Sequence, residues 1–384
     1  MSGRTVLILG GGVGGVVAAS RLRQLLDPAD RVVLVERGDR HVFWPSLLWV
    51  ATGTRRVADI QRPYASLAER GIDVRQGEVT ALDPERRTVT VAGAELHGDA
   101  VVVALGADLV PEAVPGLPEA GINLYSTAGA EQLHATVRGI AAGRVVILVA
   151  AVPFKCPAAP YEAAMLVEHQ LRRRRVRDQV DVAIYAAEPA PLPVAGPQVS
   201  QAVTAMLAQR GITYHPNHNV SHVEPSERRV HFTEGDPVGF DVLAAVPPHA
   251  APEVIRRSPL AGASGWAAVD PASCETRFEN VFAIGDVATI PLAMGKPLPK
   301  AGVFASAQAE AVAATVAARL RGRGGPRTFD GRGECFIETG GGLAGFARGN
   351  FFAQPTPAVQ VFRPGRHWHA AKVALEKAWW HSWF

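Results

Sequence analysis

Cysteine is scarce in this 384-residue chain: there are three, at positions 156, 274 and 335, and none has C-x-x-C spacing. Zinc and iron–sulfur sites need clustered ligands, so no metal centre is expected. Charge of one sign is scarce as well, since the formal balance is only +3, too little to imply a nucleic-acid partner. The one dense basic run, residues 172–175 followed by Arg177, continues a helical stretch without interleaved aromatics and reads as a solvated helix end. Long hydrophobic runs are missing too. Residues 145–152 stop far short of the roughly 18–20 needed to span a bilayer, so any membrane contact is expected to be peripheral. The first strand-like run, Thr5–Leu9, leaves no room ahead of it for a basic and then apolar leader, and a cytoplasmic protein is expected.

What is present is alternation. Thr5–Leu9, a glycine turn over residues 10–15, a helix over 16–26 and a strand over 32–36 spell a βαβ unit of a parallel sheet. Short strands are expected at 73–80 and 88–92, and a buried one at 99–105. A second unit follows, with a strand at 144–150, a helix from Pro157 to Arg173 and a strand at 180–186. Residues 280–284 read as a strand returning to the first domain, and 301–321 as a long alanine-rich helix. The predicted fold is therefore α/β: two Rossmann-like dinucleotide-binding domains plus a C-terminal element. The expected boundaries are 1–112 with 265–330, then 113–264, then 331–384.

Gly10-x-Gly12-x-x-Gly15 sits between strand and helix, where backbone N–H groups and the helix dipole favour a pyrophosphate. Glu36, at the end of the next strand and about 20 residues further on, is placed to accept hydrogen bonds from a ribose. The corresponding turn of the second unit reads Ala150-Ala151-Val152-Pro153-Phe154-Lys155-Cys156-Pro157, without a glycine. Side chains occupy the space a pyrophosphate needs, so nicotinamide binding is not expected there. Cys156 precedes a helix and follows Lys155, which predicts a lowered thiol pKa. Cys274 reads as structural.

Residues 99–106 (DAVVVALG) and 280–286 (NVFAIGD) resemble the segments that complete the FAD site of two-dinucleotide-domain flavoproteins. Residues 154–162 (FKCPAAPYE), 298–302 (LPKAG) and the Cys335 segment, taken together, resemble sulfide:quinone oxidoreductases and the flavoprotein of flavocytochrome c sulfide dehydrogenase. The likeness runs in order through nearly the whole chain. It implies an FAD held by Gly10, Gly12, Gly14 and Gly15, with Glu36 and Arg37 toward the ribose. Pro45, Ser46, Val79, Ala104 and Gly106 would complete the walls. Asp286 would bond the ribitol, and Lys300, Ala301 and Gly302 would lie beside the pyrimidine ring. No cysteine lies between Glu36 and Val79, where the flavocytochrome relatives attach their flavin, so the FAD is expected to be noncovalent.

The resemblance also implies that Cys156 and Cys335 flank the flavin. Sulfide attacks one sulfur to form a persulfide, the freed thiolate engages the flavin, and the flavin takes two electrons for a quinone. Glu162 would shuttle protons. A third cysteine that many members carry is absent near Ser126. Three alternatives stay open: a sulfide dehydrogenase feeding a cytochrome, an enzyme like type II NADH dehydrogenases, and a noncatalytic flavin redox sensor. Trp368, Leu375, Trp379 and Trp383 share one face of a C-terminal helix, which suits a membrane interface at the inner face of the plasma membrane, a packed helix or a homodimer contact. Phe346, Phe351 and Phe352 are candidate quinone contacts by analogy.

Overall fold

The computed structural model describes residues 3–322 and 325–384. Runs of β-branched and aliphatic residues form two five-stranded parallel sheets. In the first, the order is Val281–Ala283, Ala100–Val103, Thr5–Leu9, Arg31–Glu36, Asp73–Gln76. In the second it is Ile122–Asn123, Val242–Val246, Gly143–Val149, Val180–Ala186, Thr213–His215. Their central strands are buried on both faces, as parallel sheets covered by helices require. The fold is thus α/β with two Rossmann-like units, and residues 281–283 do return to the first sheet.

Each sheet reverses its strand order beside its first strand. Thr5–Leu9 lies between Arg31–Glu36 and Ala100–Val103, and Gly143–Val149 lies between Val180–Ala186 and Val242–Val246. Ligands of open α/β sheets bind in the crevice that such a reversal leaves at the carboxyl ends of the strands. The two crevices are joined by backbone. Lys155 and Lys300 form a parallel bridge, and Cys156 N–H donates to the Lys300 carbonyl at 2.7 Å.

Element limits differ from the sequence expectation where turns intervene. Residues 73–80 are two strands, Asp73–Gln76 and Val79–Asp83, the second of which pairs in a separate antiparallel sheet. The helix expected from Pro157 begins later, as Ala159–Arg173, with Pro160 in its first turn. The basic run at its end is not simply solvated. Arg174 donates to the carbonyls of Val137 and Ile140 at the end of the helix Thr127–Gly139, and Arg177 donates to those of Val180 and Gly211.

Residues beyond 330 form an antiparallel sheet, Arg332–Gly340, Leu343–Asn350 and Ala358–Gly365, followed by the helix Arg366–Trp383. The aromatic face of this helix turns largely toward the protein, as the packed-helix alternative expected. Trp379 is buried against His41 and Phe43, Trp368 stacks on Phe346 with ring centroids 4.2 Å apart, and Trp383 is half-buried. Leu375 alone of the four stays open, at 44% exposure. Among the described residues no helix is long and apolar enough to cross a membrane.

Polar ties seat the same helix. Arg55 meets the buried Glu376 carboxylate at 2.8 Å and lies over the Trp49 ring. Truncating one partner of such a pair strands the other charge in a poor solvent. Arg55→Ala should therefore lower stability by about 2–3 kcal/mol, read as a shifted urea midpoint, and Arg55→Met with Glu376→Leu should recover most of the loss.

Candidate active site

The two crevices open into one cavity of about 1890 Å³, bounded by both Rossmann units and the C-terminal element. Single ligand pockets commonly occupy roughly 300–1,000 Å³, so there is room for more than one bound molecule. On the first unit, three glycines of the turn do three different jobs. Gly10 adopts φ +98°, where an L side chain is strained. A Cβ on Gly15 would stand 1.8 Å from the Gly10 carbonyl oxygen, so helix and strand could not close on each other. A Cβ on Gly12 would meet nothing within 4 Å and would project into open space. That is the cradle a pyrophosphate requires. Glu36 accepts from Gly11 N–H at 2.6 Å and from Gly38 N–H at 3.0 Å, which holds its carboxylate at the cavity wall with lone pairs to spare.

Gly10, Gly12, Gly14, Glu36, Arg37, Pro45, Val79, Ala104 and Gly106 line this cavity. So do Asp286, Lys300, Ala301 and Gly302. Two of the expected contacts do not. Gly15 is used for packing, and Ser46 is fully buried behind the wall, its hydroxyl without a hydrogen-bond partner. Burial raises the Asp286 carboxyl, opposed by Lys155 and Lys300. Lys300 is no surface lysine: its ammonium donates to the carbonyls of Asp286 and Ala288 and lies 3.4 Å from the Trp266 ring centroid. Burial brings it down to about 8, with Asp286 opposing. The residues present fit a dinucleotide, with the glycine turn to cradle its pyrophosphate and Glu36 at the wall beside it.

Cys156 and Cys335 both line the cavity. Each is a free thiol, accessible from the cavity rather than from the outer surface. The backbone of Cys156 is held at φ +48°, a strained value for a non-glycine residue, by three hydrogen bonds. Its N–H donates to Lys300, while its carbonyl accepts from Ala159 N–H and from the Tyr125 hydroxyl. The expected low thiol pKa is not found. Burial pushes Cys156 up to about 12, with the Glu162 carboxylate adding to the rise and Lys372 opposing it. The helix starts too late for its N-terminus to dominate, and the Lys155 ammonium lies over Trp44 and Tyr125 instead. Cys335 is raised as well, by burial and then by Glu162.

Glu162 is not a solvated helix residue. It is 4% exposed, and its Oε1 accepts from Glu338 N–H at 2.8 Å and from Lys372 Nζ at 3.1 Å. One carboxylate thereby fastens the helix after Cys156 to the strand bearing Cys335 and to the C-terminal helix. Lys372, Glu338 and His369 escaped the sequence reading, because helix and strand periodicity give no sign that they meet Glu162. Ser126 caps the helix Thr127–Gly139 by accepting from Gly129 N–H, and Cys274 is fully buried in the first core. Of the candidate quinone contacts only Phe351 lines the cavity. Phe346 is buried under Trp368, and Phe352 packs on Phe329.

The second unit carries no glycine cradle in its first turn. Glu188, just past the strand Val180–Ala186 as Glu36 ends the first unit's second strand, accepts a hydrogen bond from the Tyr161 hydroxyl, and burial pushes it up to about 8.

Gly12→Ala should fold with stability within about 0.5 kcal/mol of the parent yet retain less flavin, whereas Gly15→Ala should lose about 2–3 kcal/mol. Absorbance at the flavin band and urea titration separate the two effects. A second prediction concerns His41. Its Nε2 accepts from the Trp379 indole N–H at 3.2 Å, so Nδ1 must donate to the Gly11 carbonyl and the ring must be neutral. Burial lowers His41 to about 4 against its hydrogen bond to Gly11. The unfolded chain then binds the proton first, so stability falls as pH drops from about 6.5 to about 4, by about 3 kcal/mol from this group. His41→Gln should flatten that decline in urea midpoints followed by tryptophan emission.

Relatives match nearly the whole chain. It is 27% identical over 364 residues to the mitochondrial sulfide:quinone oxidoreductase of Mus musculus, covering 91% of this chain and 79% of that one. It is 27% identical over 399 residues to the sulfide-quinone reductase of Aquifex aeolicus, covering 97% and 89%. The solved structure of the sulfide:quinone oxidoreductase from Aquifex aeolicus shares the fold with a TM-score of 0.87 at 24% identity, covering 99% of this chain and 91% of that one. Residues 4–311 match the pyridine nucleotide-disulphide oxidoreductase family, and with a glycine cradle on one unit and a cysteine loop on the other, the chain belongs to that family of oxidoreductases.

Proposed function

We propose that this enzyme oxidises sulfide through Cys156 and Cys335 and passes two electrons by way of noncovalently bound FAD to a quinone. The observation that carries the reading is the convergence of two thiols, far apart in sequence, on the cavity that also receives the glycine cradle. The relatives named for sulfide and quinone support the same chemistry. FAD, when bound, supplies a two-electron acceptor that can be reoxidised by a quinone.

The residues divide the remaining work. From the oxidised pair, hydrosulfide attacks one sulfur: a sulfur–sulfur bond forms to the incoming atom, the bond between the cysteines breaks, and the other cysteine leaves as thiolate. The sulfide sulfur gives up two electrons and its proton must be removed, for which Glu162 is the carboxylate at hand. The strained Cys156 backbone holds its sulfur toward the cavity while Tyr125 and Lys300 fix the main chain. Lys300 and the start of the helix Gly302–Arg321 place positive potential where an anionic reduced ring would lie. A lipid-soluble acceptor has to arrive from a membrane surface. The open Leu375, on the cavity wall, marks the side of the molecule that would rest there.

An NADH-driven reading lacks support, because the second loop has no glycine. In stopped-flow measurements sulfide should bleach the flavin rapidly and a short-chain quinone should restore it. Cys156→Ser and Cys335→Ser should each lower sulfide-driven reduction by about 100-fold or more while keeping FAD bound. Bleaching by NADH but not by sulfide, or unchanged rates in both variants, would overturn the proposal.

A further inference from the structure

Gly11 occupies a position that the glycine pattern leaves free, yet a Cβ there would stand 2.5–2.6 Å from the Tyr64 ring and hydroxyl. The missing side chain lets Tyr64 close on the turn, and its hydroxyl donates to the Gly11 carbonyl at 2.6 Å. The second lone pair of that carbonyl is taken by His41, whose Nδ1 lies 2.9 Å away. His41 in turn accepts from the Trp379 indole N–H, with the two rings stacked at 19°. Tyr64 and His41 are both buried, and burial brings His41 down to about 4 against its bond to Gly11. The ring is thereby kept neutral, with one donating and one accepting nitrogen.

The peptide between Gly11 and Gly12 is trans and planar, so fixing its carbonyl also fixes the Gly12 N–H, which points the opposite way. That N–H has no acceptor among the described residues, and Gly12 lines the cavity where a Cβ would meet nothing. The donors run head to tail, from the indole through the imidazole and the peptide to the Gly12 N–H. Chains of this kind polarise their members and strengthen the last donor. The other end belongs to the helix Arg366–Trp383. Arg70 secures the end of that helix to the first unit by donating to the carbonyls of His381 and Ser382, and Arg62 lies over the Trp380 ring.

We propose that Tyr64, His41 and Trp379 are positioning residues through which the docked C-terminal helix sets the grip of the glycine turn on the pyrophosphate of its dinucleotide. The inference rests on the reading of the cavity as an FAD site. Undocking the helix withdraws the Trp379 indole, leaves the imidazole free to turn, and releases one of the two hydrogen bonds that orient the Gly11 peptide. Flavin retention therefore depends on a helix that follows the two Rossmann units in the sequence. By the reciprocity of linked equilibria, a bound dinucleotide holds that helix down in return.

The affinity of the full-length apoprotein for FAD, measured by quenching of flavin fluorescence, tests this without turnover. Tyr64→Phe and Trp379→Phe each keep an aromatic ring and remove one donor, and each should weaken FAD by about five- to ten-fold. His41→Leu should weaken it by about ten-fold or more, and His41→Gln, whose amide both donates and accepts, should recover most of the loss. Added to His41→Leu, Trp379→Phe should cost nothing further, because its effect runs through the imidazole, whereas a direct contact with the cofactor or a general loosening would add to the loss. ADP-ribose, which carries the pyrophosphate without the flavin, should lose the same factors when it competes with FAD. Unchanged affinity in both Phe variants, losses that add in the double variant, or a loss confined to FAD would sink the relay. The two Phe variants and ADP-ribose carry the test even if His41→Leu does not fold. A parent apoprotein that binds neither FAD nor ADP-ribose would instead remove the FAD reading itself.

Discussion

The Glu162 carboxylate is the constraint on which the site depends. It stands on the helix that follows Cys156, and one of its oxygens accepts both from the main chain of Glu338 and from Lys372. The first bond fixes the strand that carries Cys335, and the second fixes the C-terminal helix. Without a buried acceptor at that point, two cysteines from separate parts of the chain would have no reason to share a wall. A buried ionised group is tolerated only where its hydrogen bonds are satisfied and its charge is countered, and both conditions are met here by residues outside its own domain.

A second constraint sets the opposite side. The crevices of the two parallel sheets are equivalent by topology, yet they carry different chemistry. In one, glycines leave space at the start of a helix, which suits a phosphate. In the other, that space is filled by residues 150–157, and Cys156 is drawn against the Lys300 carbonyl. The loop without glycines supports a cavity-facing thiol. The cost is a strained backbone.

The C-terminal helix shows how an aromatic stripe can serve several kinds of contact. Trp368, Trp379 and Trp383 have the spacing of an interfacial helix, but they pack on Phe346, His41 and the first core. What sets the helix in place is as much polar as apolar, through His369, Lys372, Glu376 and the Trp379 indole. Periodicity reports which residues share a face and is silent about what that face meets.

The sequence alone determined the order of strands and helices, the glycine cradle and the second turn without glycine. These are local matters: apolar periodicity, turn geometry and the space a missing side chain leaves. Tertiary structure decided the rest. The thiol pKa of Cys156 went up rather than down because burial and Glu162 outweigh a helix that begins two residues further on than expected. Ser46, Phe346 and Phe352 fell behind the cavity wall, while Lys372 and the Glu338 main chain, about half the chain away, arrived at Glu162. Electrostatics and burial depend on distances through space, and those exist only once the chain has folded.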